Sequence, residues 1–364
     1  MKKLLLIVLC SACFALQGAA QDNETPLRLA VAGATHSHLS MVVRNLNRGD
    51  FKLVGIYDKN IPLMEEFAGQ YGFSKDIIYS SLGQMLDDVK PEAVAAFGSI
   101  YDHLSVVEAA APRGIHVMVE KPLAVSVAHA RKIEKLAKKY NIHVITNYET
   151  TWYSSHEKAH EMIENGDIGE LAKIIVYDGH AGPINEKPHF FEWLSDPVGN
   201  GGGAVIDFGC YGANLVTWLM KGERPNRVYA DVRNHKPEIY TKVDDDATIL
   251  LSYDNMEAIL NGSWSWPFNR KDMHIYGLKG YIFADNRNTI RYRTGREREP
   301  EVTEVIQNIT APRDDPFRYL RAVIRGQITM SDHDLSSLPN NMLVVEILEA
   351  AKKSAKTGRA VRLK

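Results

Sequence analysis

The tripeptide Glu120-Lys121-Pro122 is the first segment of this sequence that could carry chemistry. It closes the apolar run His116–Glu120, which has the composition of a buried β-strand. Ligands of open α/β sheets bind at the carboxyl ends of the strands, and Pro122 biases Lys121 toward an extended backbone. We therefore predict that Lys121 reaches into a binding crevice. A solvated lysine at a strand end is the alternative.

A glycine-rich segment, Gly201 to Tyr211, is the second chemical signal. Its three consecutive glycines allow the backbone to pass close to another surface. Asp207 and Tyr211 are four residues apart and share one face if the turn is helical. A tyrosine serves as a general acid or base when a nearby cation lowers its pKa toward neutrality, and Lys121 is the expected cation. Packing of Tyr211 as an ordinary helix aromatic is the alternative.

The turn after the first apolar run occupies the place of a dinucleotide-binding glycine fingerprint, G-x-G-x-x-G. Only Gly33 of that fingerprint is present, and Thr35 and His38 stand where the other two glycines would be. We expect Gly33 to make the tight turn, and Thr35, His36 and His38 to contact the cofactor phosphates. No carboxylate or thiolate accompanies the two histidines at a typical ligand spacing, so we predict no metal site.

A carboxylate at the end of the second apolar run, Asp58, lies about 25 residues beyond Gly33. In dinucleotide-binding folds an acidic residue at this place accepts hydrogen bonds from the adenosine ribose. The same charge repels a ribose phosphate, so the sequence favours NAD over NADP. A helix or turn cap is the alternative role for Asp58.

A polar and aromatic segment precedes the glycines and supplies candidates for substrate contacts. Aromatic faces suit sugar rings, although they suit ordinary cores equally well. The candidates are His180, His189, Glu192 and Trp193.

Short apolar runs alternate with amphipathic stretches in the first part of the chain, which predicts a doubly wound α/β domain with a parallel sheet. The predicted strands are Leu27–Ala32, Lys52–Tyr57, Ala93–Gly98, His116–Glu120 and His143–Asn147. The predicted helices are Leu39–Asn47, Pro62–Tyr71, Leu104–Ala111 and Val127–Tyr140, the last with Ser126 as its N-cap.

The pattern changes after about Thr151, where consecutive β-rich runs separated by turn residues predict a largely antiparallel sheet. These runs are Arg227–Val232, Ala247–Ser252, Glu257–Ser263, His274–Tyr276 and Tyr281–Ala284. Predicted helices in this part are Ser155–Asn165, Tyr211–Met220 and Met342–Thr357, and Gly358 suits a left-handed C-cap.

The segment Met1–Ala20 has the features of a secretory signal peptide: two lysines, an apolar stretch and small residues at a cleavage site. We therefore expect an exported protein, located in the periplasm. Cleavage would leave Cys210 as the only cysteine, which excludes an internal disulfide. Lipidation of Cys13 is the alternative, but the residues before it lack the aliphatic residue of a lipobox.

Composition excludes several classes of protein. The chain has 364 residues, 45% hydrophobic and 24% charged, with a formal charge of −2 at pH 7. These values are typical of a globular protein rather than a disordered one. Without a basic excess, nucleic acid is not an expected partner. No segment beyond the signal is apolar over the roughly 20 residues that a membrane span needs.

Taken together, the motifs resemble the Gfo/Idh/MocA oxidoreductase family. The resemblance rests on Glu120-Lys121-Pro122-Leu123-Ala124, His103 before it, the segment Gly166 to Leu171, the glycine segment through Tyr211, and Thr357 to Val361. It implies an N-terminal Rossmann domain over residues 26–148 and a C-terminal α+β domain over 149–364. The final helix is expected to pack back on the first domain. Tyr211 stands where many members have histidine, which resembles the glucose-fructose oxidoreductase and dihydrodiol dehydrogenase branches.

The resemblance also implies a nicotinamide cofactor and sugar or polyol substrates. In the leading hypothesis NAD accepts a hydride from a ring hydroxyl of a sugar, polyol or glycoside. Tyr211 moves the proton, Lys121 and Asp207 orient the substrate, and His103, Glu120 and Lys121 flank the nicotinamide. An NAD-dependent glycosidase with a retained cofactor and a sugar-binding module without catalysis are the alternatives. A homo-oligomer formed through the C-terminal sheet is expected.

Overall fold

The structure is a computed structural model that describes residues 25–295 and 299–363. The predicted signal segment Met1–Ala20 lies outside the described residues. The first domain contains a six-stranded parallel sheet with the order β3-β2-β1-β4-β5-β6, so the predicted Rossmann architecture is confirmed. Its strands are β1 (Leu27–Ala32), β2 (Phe51–Tyr57), β3 (Ile78–Tyr79), β4 (Ala93–Ala96), β5 (His116–Glu120) and β6 (Val144–Asn147).

Helices cover both faces of this sheet, as the fully buried strands require. They are α1 (Leu39–Val43), α2 (Ile61–Tyr71), α3 (Leu82–Val89), α4 (His103–Ala110) and α5 (Val127–Tyr140). The predicted cap of α5 is present, because the Ser126 side chain accepts a hydrogen bond from the His129 N–H. Helix α1 is shorter than predicted: it ends at Val43, and the Asn45 side chain donates back to the Met41 carbonyl.

The second domain is built on a nine-stranded mixed sheet with the order β14-β13-β12-β11-β7-β10-β9-β8-β15. All neighbours pair antiparallel except β7 and β10, which are parallel. Strand β7 was not predicted, yet it lies at the centre. The strands are β7 (Leu171–Gly179), β8 (Arg227–Arg233), β9 (Asp246–Ser252), β10 (Glu257–Ser263), β11 (Arg270–Gly277), β12 (Gly280–Ala284), β13 (Thr289–Thr294), β14 (Val302–Val305) and β15 (Val361–Arg362).

The remaining helices pack against this sheet or return to the first domain. They are α6 (Ser154–Glu164), α7 (Pro188–Leu194), α8 (Ala204–Asp207), α9 (Gly209–Leu219), α10 (Pro316–Ile324) and α11 (Leu338–Thr357). Gly203 immediately precedes α8. The position requires glycine, because a Cβ there would lie 1.8 Å from the Asp244 carbonyl oxygen.

Two C-terminal helices return to the Rossmann domain. Phe317 of α10 packs against Phe51, with ring centroids 5.1 Å apart, although the sequence assigned this region to the second domain. Glu349 of α11 accepts a hydrogen bond of 2.9 Å from the Val127 N–H at the start of α5. The final helix therefore packs back on the first domain. None of the helices in residues 25–295 and 299–363 has the length and apolar character needed to cross a membrane.

Candidate active site

A cavity of about 800 Å³ lies between the carboxyl ends of the Rossmann strands and the second sheet. Both domains contribute to its wall, which is the arrangement expected for ligand sites in this architecture. Its lining includes Lys121, Asp207, Tyr211 and His180 from the predicted site, together with His36 and His38 from the turn after β1. Most of the predicted catalytic residues are thus brought together here.

Lys121 and Asp207 form an ion pair between the domains in the cavity wall. The Lys121 Nζ donates to an Asp207 carboxylate oxygen, and to the Asp207 carbonyl at 3.1 Å. The other carboxylate oxygen accepts from Trp264 Nε1 at 2.8 Å. Burial by itself would lower the pKa of Lys121, but the charge of Asp207 raises it above its ordinary value. Lys121 is therefore a protonated donor.

Tyr211 lies in the cavity wall with only 2% of its surface exposed. Burial, followed by the charge of Glu149, raises the pKa of Tyr211 well above its ordinary value. The expectation that the pKa is lowered toward neutrality is therefore wrong, although the Lys121 ammonium does lie 5.1 Å from the centroid of the ring. Tyr211 is thus held as a neutral phenol, a hydrogen-bond donor rather than a base.

Glu120 and His38 form a carboxylate–imidazole pair that the sequence did not indicate. His38 Nδ1 lies 3.0 Å from a Glu120 oxygen, and the other oxygen accepts from Asn147 at 2.8 Å. Burial opposes ionisation of Glu120, but the charge of His38 and these hydrogen bonds lower its pKa to about 2. Since Glu120 is ionised, it accepts this hydrogen bond from the His38 Nδ1–H.

The His38–Glu120 pair contradicts the reason given for expecting no metal site, which was that no carboxylate accompanies the two histidines. His36, His38 and Glu120 offer ligand atoms within 4.8 Å of one another, so a carboxylate does accompany the histidines. The His36 Nδ1 accepts from the His38 N–H at 3.0 Å, and His38 Nδ1 is engaged by Glu120. We therefore interpret the cluster as a hydrogen-bonded network.

Four residues near Tyr211 were missed by sequence reasoning. Glu149 follows β6 and is paired with Lys271 of β11, and it accepts a hydrogen bond of 2.8 Å from the Tyr153 hydroxyl. Its place just beyond a strand's carboxyl end is a signal that could have identified it, as for Lys121. Lys271 has no local signal. Asp178 of β7 is 1% exposed, and neither carboxylate oxygen has a hydrogen-bond partner.

Charges in the cavity wall are largely neutralised in pairs. Each pair joins a cation to a carboxylate that also lines the cavity. The pairs are Lys121 with Asp207, Lys271 with Glu149, Arg270 with Asp272, and Arg291 with Asp285.

A second pocket, of about 270 Å³, lies at the turn after β1 and is lined by Gly33, Thr35 and Asp58. Gly33 has a φ of +83°, and a Cβ there would lie 2.5 Å from the Gly98 nitrogen. The tight turn therefore requires glycine, as predicted. Thr35 lines this pocket, whereas His36 lines the larger cavity. Burial lowers the pKa of His36 well below its ordinary value.

Asp58 and His103 both make structural hydrogen bonds, and for Asp58 these match the turn cap that the sequence offered as the alternative. The two Asp58 oxygens accept hydrogen bonds from the Ala34 N–H at 2.8 Å and the Asn60 N–H at 2.7 Å. Asp58 thus holds the turn while it lines the pocket. His103 is fully buried, lines neither cavity and pairs through Nδ1 with the Leu123 carbonyl at 3.2 Å. Its predicted position beside the nicotinamide is corrected: it supports the loop that carries Lys121.

The polar and aromatic segment divides between the two cavities. His180 lines the larger one, and its Nδ1 accepts a hydrogen bond from the Gly182 N–H at 2.8 Å. His189 does not line that cavity, and its ring instead lies 5.9 Å from Phe67 of α2. Trp193 lines the smaller pocket, so its predicted contact with substrate is corrected. Glu192 is exposed and lines neither.

Comparison with known families agrees with the division into two domains. Residues 27–148 match the oxidoreductase family with an NAD-binding Rossmann fold, and residues 156–283 match the GFO/IDH/MocA C-terminal domain. The chain belongs to the GFO/IDH/MocA oxidoreductase family. The family resemblance seen in the sequence is therefore confirmed, and NAD is the cofactor of its first domain.

Relatives of this GFO/IDH/MocA protein are similar over most of their length. The trans-1,2-dihydrobenzene-1,2-diol dehydrogenase of Xenopus tropicalis is 23% identical over 88% of this chain and 94% of its own. The myo-inositol 2-dehydrogenase of Thermotoga maritima is 24% identical over 86% and 92%. An inositol dehydrogenase homolog from Azotobacter vinelandii, solved with NAD+, superposes with a TM-score of 0.79 at 18% identity, covering 93% and 98%. The last comparison shows the fold.

NAD fits the smaller pocket of this family member by the structure's own features. The turn at Gly33 brings backbone close to the pocket, and Thr35 and Ser99 add hydroxyls to its lining. These donors suit the phosphates and ribose hydroxyls of a dinucleotide.

Proposed function

We propose that this protein oxidises a ring hydroxyl of a neutral sugar, polyol or glycoside with NAD as the oxidant. The pairing of cations with carboxylates around the 800 Å³ cavity supports this most strongly, because a neutralised wall does not select an ionised substrate. The rings of Tyr153, Phe190 and Phe208 in the same wall offer faces for a sugar ring. The diol and inositol dehydrogenases among its relatives support the same substrate class.

Two protonated donors orient the substrate oxygen in this proposal. Lys121 keeps its proton because of Asp207, and Tyr211 keeps its proton because it is buried beside Glu149. Both donors stabilise negative charge on the oxygen as its proton leaves. The chemistry that a bound nicotinamide supplies is acceptance of a hydride from the carbinol carbon.

His38 is the proposed proton acceptor, in place of Tyr211. It lines the cavity, and the Glu120 carboxylate accepts from its Nδ1–H, which orients the ring and leaves Nε2 as the nitrogen proposed to take up the proton. The hydroxyl proton passes to His38, the carbinol carbon loses a hydride, and the C–O single bond becomes a carbonyl. Reduction reverses each transfer.

The proposal is tested by mixing the purified protein with NAD and a panel of neutral sugars, polyols and glycosides, with uronic acids as ionised controls. We expect NADH formation with one or more neutral compounds and a trapped ketone in the product. Absence of NADH formation across the panel, in protein shown to bind NAD, would contradict it. That result would favour the sugar-binding module. Release of the aryl group from aryl glycosides without net NADH formation would indicate the glycosidase.

Export and assembly are part of the same proposal. The lysine-flanked apolar stretch at the N-terminus supports secretion to the periplasm. A row of half-exposed aromatic rings on β11 and β12 supports a homo-oligomer formed through the second sheet. Phe283 lies at its centre, with its ring centroid 4.4 Å from that of His274 and 4.6 Å from that of Tyr281.

A further inference from the structure

His36 lies in the wall of the larger cavity, beside Ser37 and His38. The sequence assigned it to the cofactor phosphates, but it is not part of the lining of the smaller, nucleotide pocket at Gly33 and Thr35. Only 4% of the residue is exposed. A ligand that contacts the His36 side chain is therefore one that occupies the larger cavity.

The hydrogen bonding of His36 fixes which of its nitrogens carries the proton. The Nδ1 atom accepts from the His38 N–H at 3.0 Å, so Nδ1 itself carries no proton. Burial, followed by the neighbouring His38 ring, lowers the pKa of His36 well below its ordinary value. A neutral imidazole has one N–H, which here is on Nε2. His36 is therefore a hydrogen-bond donor at Nε2 and cannot accept there.

The Nε2–H of His36 is both unpaired and accessible. No group within residues 25–295 and 299–363 makes a hydrogen bond with it. It is also not one of the buried polar atoms that lack a partner in this part of the chain, so it keeps accessible surface where the residue lines the cavity. The donor is thus available to a ligand.

Neighbouring rings hold the His36 imidazole in place. The Phe190 ring contacts it edge-on, with centroids 5.0 Å apart, and the Phe97 ring lies 6.5 Å away. The ring of His38, the proposed proton acceptor, lies 4.5 Å from it, centroid to centroid. A donor already held by packing loses little freedom when a ligand binds. The cavity wall therefore presents one fixed donor beside the proposed base.

We propose that the His36 Nε2–H donates a hydrogen bond to the substrate oxygen next to the hydroxyl that is oxidised, which makes a vicinal diol the required substrate group. This inference rests on the proposed function and deepens it. His38 takes the proton of one hydroxyl, and the short distance between the two imidazoles places His36 near an adjacent oxygen of the same molecule. A neighbouring hydroxyl is the closest further acceptor that a sugar or polyol offers.

The unpaired donor selects against compounds that lack this second oxygen. A deoxy compound displaces water from the Nε2–H and leaves the donor without an acceptor, whereas a diol replaces the water with its own oxygen. The reacting oxygen does not depend on His36, because Lys121 and Tyr211 donate to it in the proposed function. His36 is therefore a specificity-determining residue.

The inference is tested by altering the enzyme and the substrate together. His36→Phe keeps an aromatic ring and removes the donor, and the substrate is the best neutral compound of the panel together with its deoxy analogues. In the unaltered protein, loss of one neighbouring hydroxyl should lower kcat/KM about tenfold, the effect of one hydrogen bond. In His36→Phe the diol itself should react about tenfold more slowly, and the deoxy analogue should lose little more.

Two further variants separate the donor from the ring. His36→Gln retains a side-chain N–H and should restore part of the preference for the diol. The matched control is His160→Phe, which should keep the full preference, since His160 stacks on Trp218 and lines neither cavity. A preference in His36→Phe as strong as in the unaltered protein would overturn the inference. A rise in the Kd for NAD that accounts for the whole loss would also overturn it, because the donor would then bind the cofactor.

A measurement without turnover keeps the inference separate from the proposed function. In protein with 15N-labelled histidine, we expect the His36 resonances to show a neutral ring with its proton on Nε2 between pH 6 and pH 8. A proton on Nδ1 would overturn the inference even if a sugar is oxidised. If no compound is oxidised, calorimetric titration of myo-inositol and its deoxy analogues into the protein–NADH complex replaces the kinetic comparison. Equal binding of diol and deoxy compound would overturn the inference, whereas weaker binding of one deoxy compound, lost in His36→Phe, would leave only the proposed oxidation in error.

Discussion

Lys121 and Asp207 are 86 residues apart in the chain and meet as a buried ion pair between the two domains. Each member makes the other's charge tolerable, because an isolated buried charge is far more costly than a paired one. We therefore expect the ion pair to stabilise the domain interface in addition to its proposed role in catalysis.

Replacement of Lys121 by Met should abolish turnover and also destabilise the fold. Asp207 would be left buried with only Trp264 as a side-chain donor, and we expect the free energy of unfolding to fall by about 3 kcal/mol. Denaturant unfolding measures this loss. The double variant Lys121→Met/Asp207→Asn should recover much of the stability while remaining inactive. Additive losses in the double variant would contradict this coupling.

Loss of the His38 imidazole should slow chemistry more than cofactor binding. We expect His38→Gln to lower the rate of NADH formation in a single turnover about 100-fold, because the proton acceptor is gone. The Kd for NAD should change by much less. Ser37→Ala is the control, since Ser37 lines the same cavity beside His38. A rate in His38→Gln close to that of the control would assign the proton to another group.

Acid should destabilise the protein through Glu120. Its pKa is lowered from 4.5 to about 2, so its carboxylate contributes stability above pH 4.5, and this contribution is lost as the pH falls toward 2. Glu120→Gln should remove this part of the pH dependence and lower the free energy of unfolding at neutral pH. Unfolding curves of both proteins between pH 3 and pH 7 provide the measurement, and parallel pH profiles would contradict the prediction.

Asp178 should have the opposite pH dependence. Burial raises its pKa well above 3.8, so the folded protein holds a proton there, and stability declines as the pH rises above 3.8 toward the raised value. Asp178→Asn replaces the acid by a neutral group of similar shape. We expect the variant to gain more stability over the unaltered protein at pH 8 than at pH 5. An equal difference at both pH values would show that Asp178 does not titrate differently on folding.

Asp58 should affect both the turn and the cofactor. Because its oxygens accept from the Ala34 and Asn60 N–H groups, Asp58→Ala should lower the free energy of unfolding without NAD by about 1–2 kcal/mol. Its affinity for NAD should fall in addition. Calorimetric titration of NAD into both proteins separates the two effects. Unchanged affinity in a destabilised variant would show that Asp58 is only a structural cap.

A charged side chain among the aromatic rings on β11 and β12 should dissociate the proposed homo-oligomer. Phe283→Lys places an ammonium among Tyr281, Tyr276 and His274 without disturbing the opposite, helix-covered face. Sedimentation should show a smaller species than the unaltered protein. A matched substitution at exposed Val302, Val302→Lys, should leave the mass unchanged if the interface centres on Phe283. Identical masses for the unaltered protein and both variants would contradict the sheet interface.

The Rossmann domain and part of its site could be predicted from the amino-acid sequence. Strand and helix periods are local properties, and the rule that ligands bind at the carboxyl ends of parallel strands placed Lys121 in a crevice. The helical spacing of Asp207 and Tyr211 placed both side chains in the same cavity. The turn at Gly33 was predictable from its place in the glycine fingerprint, and the structure gives the reason, because a Cβ there would lie against Gly98.

The pairs of groups that meet in the site, and the charges they hold, depend on how distant segments pack. Glu120 and His38 are 82 residues apart, and Glu149 and Lys271 are 122 apart, so no local pattern joins them. The pKa of Tyr211 is raised rather than lowered because the ring is buried and because packing brings the Glu149 carboxylate near it. Trp193 faces the nucleotide pocket because α7 crosses between the domains. Burial and electrostatic fields arise from segments distant in the chain, and they exist only after those segments have packed together.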